Sequence, residues 1–247
     1  MLWAINVLYF IVMSIKNFLR PSTLTFVGHK NELKNVYTFS FKRSSKNHWQ
    51  AGQHAMLEIK PKKGPTTRRM FSLSSAPHEE TINITTHWLG EERASSFKKA
   101  LMALEPNDKI KLRGPVGPMF VKDPLKNNVF IAHSLGITPF RSIIAEHAIT
   151  SNNLHGTLYF VNSLAHEILF EDELKKLSAQ LKNFQIKFLT NAEEVLANLD
   201  KHDSSKLSAS IIYLAGAPKT VKQYKKDLKI LGVRAKNIKN DSFYGYK

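Results

Sequence analysis

Cysteine is absent from all 247 residues. That excludes disulfides, thiolate zinc sites, a thiol nucleophile and a cysteine-ligated iron-sulfur cluster, so any redox chemistry must use a bound organic cofactor. The absence assigns no compartment. Acidic residues are scarce as well: 20 Asp and Glu against 36 Lys and Arg leave a net charge of +16. Such a field attracts nucleic acid, anionic lipid, phosphorylated cofactors or an acidic protein. No basic motif with interleaved aromatics accompanies it, which argues against specific nucleic-acid binding. Internal repeats and low-complexity tracts are also missing, and 43% hydrophobic content is enough for a real core.

Residues 2–19 form a mostly apolar run, broken by Asn6, Ser14, Lys16 and Asn17. Its apolar side chains fall all around a helix, which suits lipid better than a half-exposed surface. About 18 residues at about 1.5 Å each reach about 27 Å, marginal for a bilayer core. No basic residue precedes the run and no small-residue cleavage site follows, so a signal peptide fits poorly. Lys16 near its end and Arg20 and Lys30 beyond it are expected to place the remainder on the cytoplasmic face of a membrane. A helix packed on the body of the protein, or in a groove of a partner, fits the same residues. Residues 1–20 are thus expected as an N-terminal apolar helix that anchors or associates with a membrane.

Pro21 ends that helix. Short strands are predicted at 24–27, 36–41, 55–59, 69–74, 81–86 and 109–112, with one helix at 94–104. Six antiparallel strands and one helix suggest a small closed barrel over residues 21–124. Beyond Pro124 the pattern changes to strands at 129–132, 157–161, 185–189 and 211–215, alternating with helices at 139–149, 171–181 and 221–231. Alternation of this kind predicts a parallel α/β sheet over residues 125–247.

Five segments carry the chemistry. In Arg69-Met70-Phe71-Ser72-Leu73-Ser74-Ser75 an arginine, an aromatic and a hydroxyl at alternate positions would make one strand face, which could meet a phosphate, a flat ring and a hydrogen-bond acceptor together. An ordinary strand with an outward arginine and a core phenylalanine has the same letters. Ser95 and Ser96 open the helix, where free N–H groups suit a diphosphate, although simple capping by Ser95 would explain them too. Gly114 and Gly117 mark a tight turn. Gly136-Ile137-Thr138-Pro139 leads from a buried strand into a helix whose first N–H groups, with Thr138, would face a diphosphate. Gly216-Ala217-Pro218 follows another parallel strand, at the edge where open α/β sheets bind ligands.

Taken in order, these segments resemble the ferredoxin-NADP reductase superfamily over residues 22–247. Arg69-x-Phe71-Ser72 resembles its flavin signature Arg-x-Tyr-Ser, with Phe71 replacing the tyrosine. Residues 93–98 resemble its diphosphate segment, residues 113–120 the turn that closes its barrel, residues 132–139 its Ala-Gly-Gly-x-Gly-Ile-Thr-Pro turn, and residues 240–246 an ending common in bacterial members. The resemblance implies a six-stranded antiparallel Greek-key β-barrel holding FAD, followed by a parallel-sheet domain binding NADH or NADPH. It implies that Arg69 holds flavin phosphate, that Phe71 stacks on the isoalloxazine, that Ser72 lies near N5, and that Leu73, Thr85 and Thr86 line the flavin. Phe243 or Tyr246 would cover the ring until nicotinamide displaces it, although a terminal strand tucking one aromatic into the core fits the same residues.

Besides Phe71, three positions depart from the pattern: His133 and Ser134 replace glycines, and Ala215 replaces a cysteine. No arginine follows Asn162, where NADP-dependent relatives often carry one, which favours NADH, although Lys219 or Lys222 could supply the charge. The implied activity is hydride transfer from NAD(P)H to FAD, with electrons passed to an acidic flavodoxin or ferredoxin or to a membrane electron carrier. Two alternatives retain part of this reading: a non-catalytic flavin-binding subunit of a membrane complex, and a basic interaction module without cofactor.

Overall fold

The computed structural model describes residues 18–44, 47–162, 168–200 and 204–243. The expected N-terminal helix therefore lies outside the described residues except for positions 18–20, as do Ser163 and the tail from Tyr244 onward. No helix among the described residues is long and apolar enough to cross a membrane. The chain divides into two compact units between Gly117 and Pro118.

In the first unit six antiparallel strands form one sheet: β1 (Ser22–Leu33), β2 (Val36–Lys42), β3 (His54–Ile59), β4 (Thr67–Ser72), β5 (Thr81–His87) and β6 (Lys109–Val116), in the order β4-β3-β6-β1-β2-β5. Alternation builds the core, since Leu24, Phe26, Phe39, Phe41, Ala55, Leu57, Ile110 and Leu112 all point inward. The two edges meet just beyond β4, where Ser74 N donates to Asn83 O (2.9 Å) and Asn83 N donates to Ser75 Oγ (2.9 Å). The short helix α1 (Ser96–Met102) adds Phe97 and Leu101 to the same core.

β1 runs well past the predicted 24–27. Residues 28–33 carry no apolar alternation, but pairing with β2 holds them extended through Gly28↔Ser40, His29↔Phe39 and Leu33↔Val36. Tertiary pairing overrides a weak local pattern here.

The second unit is a five-stranded parallel sheet, β7 (Asn128–His133), β8 (Gly156–Val161), β9 (Phe184–Leu189), β10 (Ile211–Gly216) and β11 (Ile238–Ser242), in the order β11-β10-β7-β8-β9. Its helices are α2 (Ile137–Thr150), α3 (Glu171–Ser178), α4 (Ala192–Asp200), α5 (Ser204–Ala209) and α6 (Pro218–Ile230). β7 is buried throughout except at His133, as a central strand covered on both faces requires. The chain builds outward from β7 to β8 and β9, then returns to β10 and β11 on the other side. The sheet order thus reverses between β7 and β10.

The division at Gly117 lies ahead of Pro124, where the sequence pattern changes. Residues 118–124 belong to the second unit because their carbonyls are taken there: Tyr213 OH donates to Phe120 O (3.4 Å), Asn128 Nδ2 to Asp123 O (3.2 Å) and His155 N to Pro124 O (2.8 Å).

Candidate functional site

On the barrel the expected flavin residues fall around β4, an edge strand. Register corrects one expectation. Leu57 pairs with Arg69 and Ala55 with Phe71, whereas His54 pairs with Ser72. Arg69 and Phe71 therefore share the face of the core residues, and Ser72 stands on the other with His54. A single strand face does not carry all three, but a ligand lying along the free edge of β4 can be reached from both. Phe71 packs on the Phe97 ring at 5.4 Å between centroids, so half of its surface is held and half is open. Ser72 is buried, and Leu73 is entirely core, offering only its backbone, whose N–H donates to Gln53 O (3.0 Å).

The two threonines of β5 separate. Thr85 Oγ1 is engaged by Ser74 Oγ (3.0 Å) and Thr38 Oγ1 (2.8 Å), so it closes the barrel instead of facing a ligand. Thr86 Oγ1 is buried and has no hydrogen-bond partner among the described residues. A buried hydroxyl in that state costs about 1–3 kcal/mol, which a ligand atom would offset. Ser95 caps α1 by accepting from Lys98 N (3.4 Å), the capping reading, and Ser96 beside it is exposed.

Three basic groups converge at this end of the barrel. Burial, and then the Arg69 guanidinium, push the Lys98 ammonium down. Burial, and then Lys98, push His87 down. Arg69 is exposed and has no ion pair among the described residues. This is a positive focus ready for an anion.

Gly114 and Gly117 both take left-handed φ, +100° and +107°. A Cβ on Gly117 would lie 2.7 Å from His54 Cε1, so that ring would have to turn aside, while the left-handed φ itself calls for glycine.

In the second unit the expected residues gather at the carboxyl edge of the sheet, where the strand order reverses. His133 ends β7, Asn162 follows β8, and Gly216-Ala217-Pro218 links β10 to α6. Phe243 N donates to Gly216 O (3.0 Å), which sets Phe243 beside them. A Cβ on Gly136 would stand 2.0 Å from Ala215 O, and one on Gly216 would stand 3.1 Å from His133 Cβ. Those two glycines let the turn after β7 press onto the end of β10.

Thr138 is corrected. A 3-10 turn at Ser134–Gly136 precedes α2, so the free N–H groups of the helix start belong to residues 134–136. Thr138 Oγ1 donates to Leu135 O (3.0 Å), and Ile137, Thr138 and Pro139 are buried. Ser134 is the exposed residue of the turn and sits at φ +53°, the left-handed region normally left to glycine.

No family model matches the sequence. Among curated proteins, methane monooxygenase component C of Methylosinus trichosporium is 26% identical over 151 residues, 61% of this chain and 43% of that protein. A component of the Na(+)-translocating NADH-quinone reductase of a Marinomonas species is 25% identical over 202 residues, 73% of this chain and 50% of that protein. The chain spans about half the length of the curated relatives it matches. Among solved structures, the flavohem-like FAD/NAD-binding domain of nitric oxide dioxygenase from Vibrio cholerae superposes with a TM-score of 0.75 at 21% identity, over 91% of this chain and 99% of that one. The ferredoxin NADP+ reductase of Neisseria gonorrhoeae with bound FAD and NADP gives 0.73 at 19%, over 90% and 98%. The chain has the fold of the ferredoxin-NADP reductase superfamily.

Two residues of this reductase fold were not among the sequence candidates. Gln53 is buried; its Nε2 donates to Gly117 O (3.2 Å) and its backbone carbonyl accepts from Leu73 N, so it ties the closing turn to the end of β4. His54 fills the space that Gly117 leaves. The only signal was the Gly52-Gln53 pair, which reads as an ordinary turn.

Burial pushes His133 below the ordinary imidazole range. The unfolded chain then takes up a proton that the folded unit refuses, so stability is full above about pH 6.5 and is lost as pH falls through the lower folded value. Melting temperature without nucleotide is expected to fall between about pH 7.5 and about pH 5.5, and less steeply in His133→Gln. Identical slopes would show that His133 ionises freely when folded.

Proposed function

We propose that this chain is an oxidoreductase that holds FAD along β4 of the barrel and NAD(P)H at the switch point of the parallel sheet, and passes electrons to a carrier. The observation that carries the reading is that switch point. There Gly136 is seated against the Ala215 carbonyl, with the free N–H groups of residues 134–136 at the start of α2, an arrangement suited to a dinucleotide diphosphate. The unpartnered Thr86 hydroxyl, the half-open face of Phe71 and the cations Arg69 and Lys98 fit a flavin dinucleotide on the barrel.

Each residue has an assigned task. Arg69, Lys98 and the exposed Ser96 at the start of α1 take the phosphates. Phe71 supplies the stacking surface, and Ser72 a hydroxyl at the reacting edge of the ring. Leu73 and Thr86 line the flavin, with Gly114 and Gly117 shaping the turn beside it. Gly136, Ile137, Thr138 and Pro139 build the floor of the nucleotide site. Asn162, Gly216, Ala217, Pro218 and Phe243 form its rim. When bound, flavin supplies the chemistry by accepting hydride from nicotinamide and releasing electrons onward; the chain binds, orients and keeps water out. Ala215 in place of a thiol leaves those tasks unaffected. These 247 residues hold no cysteine for an iron-sulfur cluster, so among them the flavin is the group that hands electrons on, either to an acidic flavodoxin or ferredoxin or to a carrier in the membrane, on the cytoplasmic face.

The test is the anaerobic visible spectrum of the FAD-loaded protein before and after NADH, then NADPH. Bleaching is expected with one of them, NADH in preference because Asn162 is followed by no arginine. A second reading has an observation of its own: His133 and left-handed Ser134 stand where glycines would admit the diphosphate. Flavin retained without bleaching by either nucleotide would favour an electron-transfer subunit that no longer uses nicotinamide. A protein colourless after FAD addition would remove both.

A further inference from the structure

We propose that the outer face of the barrel sheet, across β3, β6, β1 and β2, docks on an anionic lipid surface. β6 alternates Ile110 and Leu112 into the core with Lys109, Lys111 and Arg113 outward. Cross-strand register extends that row. Thr25 pairs with both Lys109 and Lys42, Lys111 pairs with Thr23 and Glu58, and Glu58 pairs with Arg68. Five cations thus share one face with Glu58, and its carboxylate is shared by Arg68 (2.6 Å) and Arg113 (3.4 Å). Among the described residues no carboxylate pairs with Lys42, Lys109 or Lys111. Lys109 and Lys111 each donate one proton to Thr25 Oγ1 (2.5 Å) and Thr23 Oγ1 (2.7 Å). The hydroxyls hold the ammoniums in place, and the remaining donors of each stay available for phosphate oxygens.

The chain enters the fold on this same face. Arg113, outward on β6, donates from Nη1 to Phe18 O (3.3 Å). The sequence immediately before Phe18 is the apolar run that begins at residue 2. Leu19 is 70% exposed, and Met70, outward on β4 opposite Met56, is 40% exposed. An acidic soluble protein would answer the lysines and leave the exposed Leu19 and Met70 unmatched. An anionic bilayer answers both, because polybasic patches and apolar segments reinforce each other at such a surface. The inference rests on this surface alone, so its failure would leave the flavin reading standing.

Co-sedimentation of the full chain with vesicles tests it, comparing phosphatidylcholine with phosphatidylcholine containing phosphatidylglycerol, at low and high salt. The parent is expected to prefer the anionic vesicles and to lose that preference in high salt. Lys42→Glu/Lys109→Glu/Lys111→Glu should lower binding to them by about a hundredfold or more, with binding to neutral vesicles unchanged. Lys182→Glu/Lys226→Glu/Lys229→Glu, the same charge change on exposed positions of the second unit, should keep the preference. If the first variant fails to fold, the Lys→Gln form of the same three positions replaces it. Retention of the preference by the barrel variant, or equal loss in both variants, would overturn the proposal. So would a parent that ignores phosphatidylglycerol but binds polyglutamate, which would point to an acidic protein instead.

Discussion

Gly136→Ala should cost the second unit about 3 kcal/mol or more, well above an ordinary surface substitution. The added Cβ would sit 2.0 Å from Ala215 O, 2.5 Å from its carbonyl carbon and 3.1 Å from Gly216 N. All three atoms are backbone, so no rotamer change relieves the contact. β10 cannot step aside, because it is hydrogen-bonded between β7 and β11 along its whole length. The φ of Gly136 is −58°, open to any residue, so the loss would come from the contact and not from backbone strain. For a unit of this size about 3 kcal/mol lowers the melting temperature by about 10 °C. Gly28→Ala, where a Cβ meets nothing within 4 Å, is the matched neutral change. Equal melting curves for the two variants would mean that the turn after β7 is loosely seated, and the nucleotide site would lose its floor.

That contact also marks where sequence reading succeeds and where it stops. The spacing of Gly136, Ile137, Thr138 and Pro139 was legible because a strand, a tight turn and a helix start impose glycine and proline locally. The partner of Gly136, Ala215, lies far along the chain, and no local rule joins them. Thr138 was misread for a related reason: the 3-10 turn at Ser134–Gly136 moves the helix start upstream, and nothing in the residue types announces one.

Ser72 shows the limit on the barrel. Residues 69–72 identify the strand, but which side chains share a face depends on pairing with β3, and the pairing with His54 puts Ser72 opposite Phe71. α4 went unpredicted, and β11 was met only by the reading of the tail as a terminal strand, because each has little buried apolar surface of its own, Val195 with Leu199 in one and Ile238 in the other. β11 is extended because β10 pairs with it, and α4 starts where Asn191 Oδ1 accepts from Glu194 N (2.9 Å). Both devices are weak signals in a single sequence.

Arg69→Gln and Lys98→Gln should each weaken FAD binding by about a hundredfold, which is about 2.7 kcal/mol, and Arg69→Gln should leave the FAD-free protein at least as stable as the parent. The sign of the second effect separates a binding group from a structural one. Arg69 is exposed and has no ion pair among the described residues, so its removal breaks no ionic contact of the fold. Lys98 is held down by burial and then by the Arg69 charge, so deleting Arg69 relieves a like-charge repulsion within the unliganded protein. A diphosphate arriving between them would reverse that balance, since each cation gains a charge-assisted partner and the repulsion is screened by the anion. Fluorescence titration of FAD at several salt concentrations reads the affinity, and the parent's should fall with ionic strength more steeply than either variant's. A variant that melts several degrees early yet binds FAD as the parent does would make the pair structural, and the phosphates would then have to lie elsewhere on the barrel.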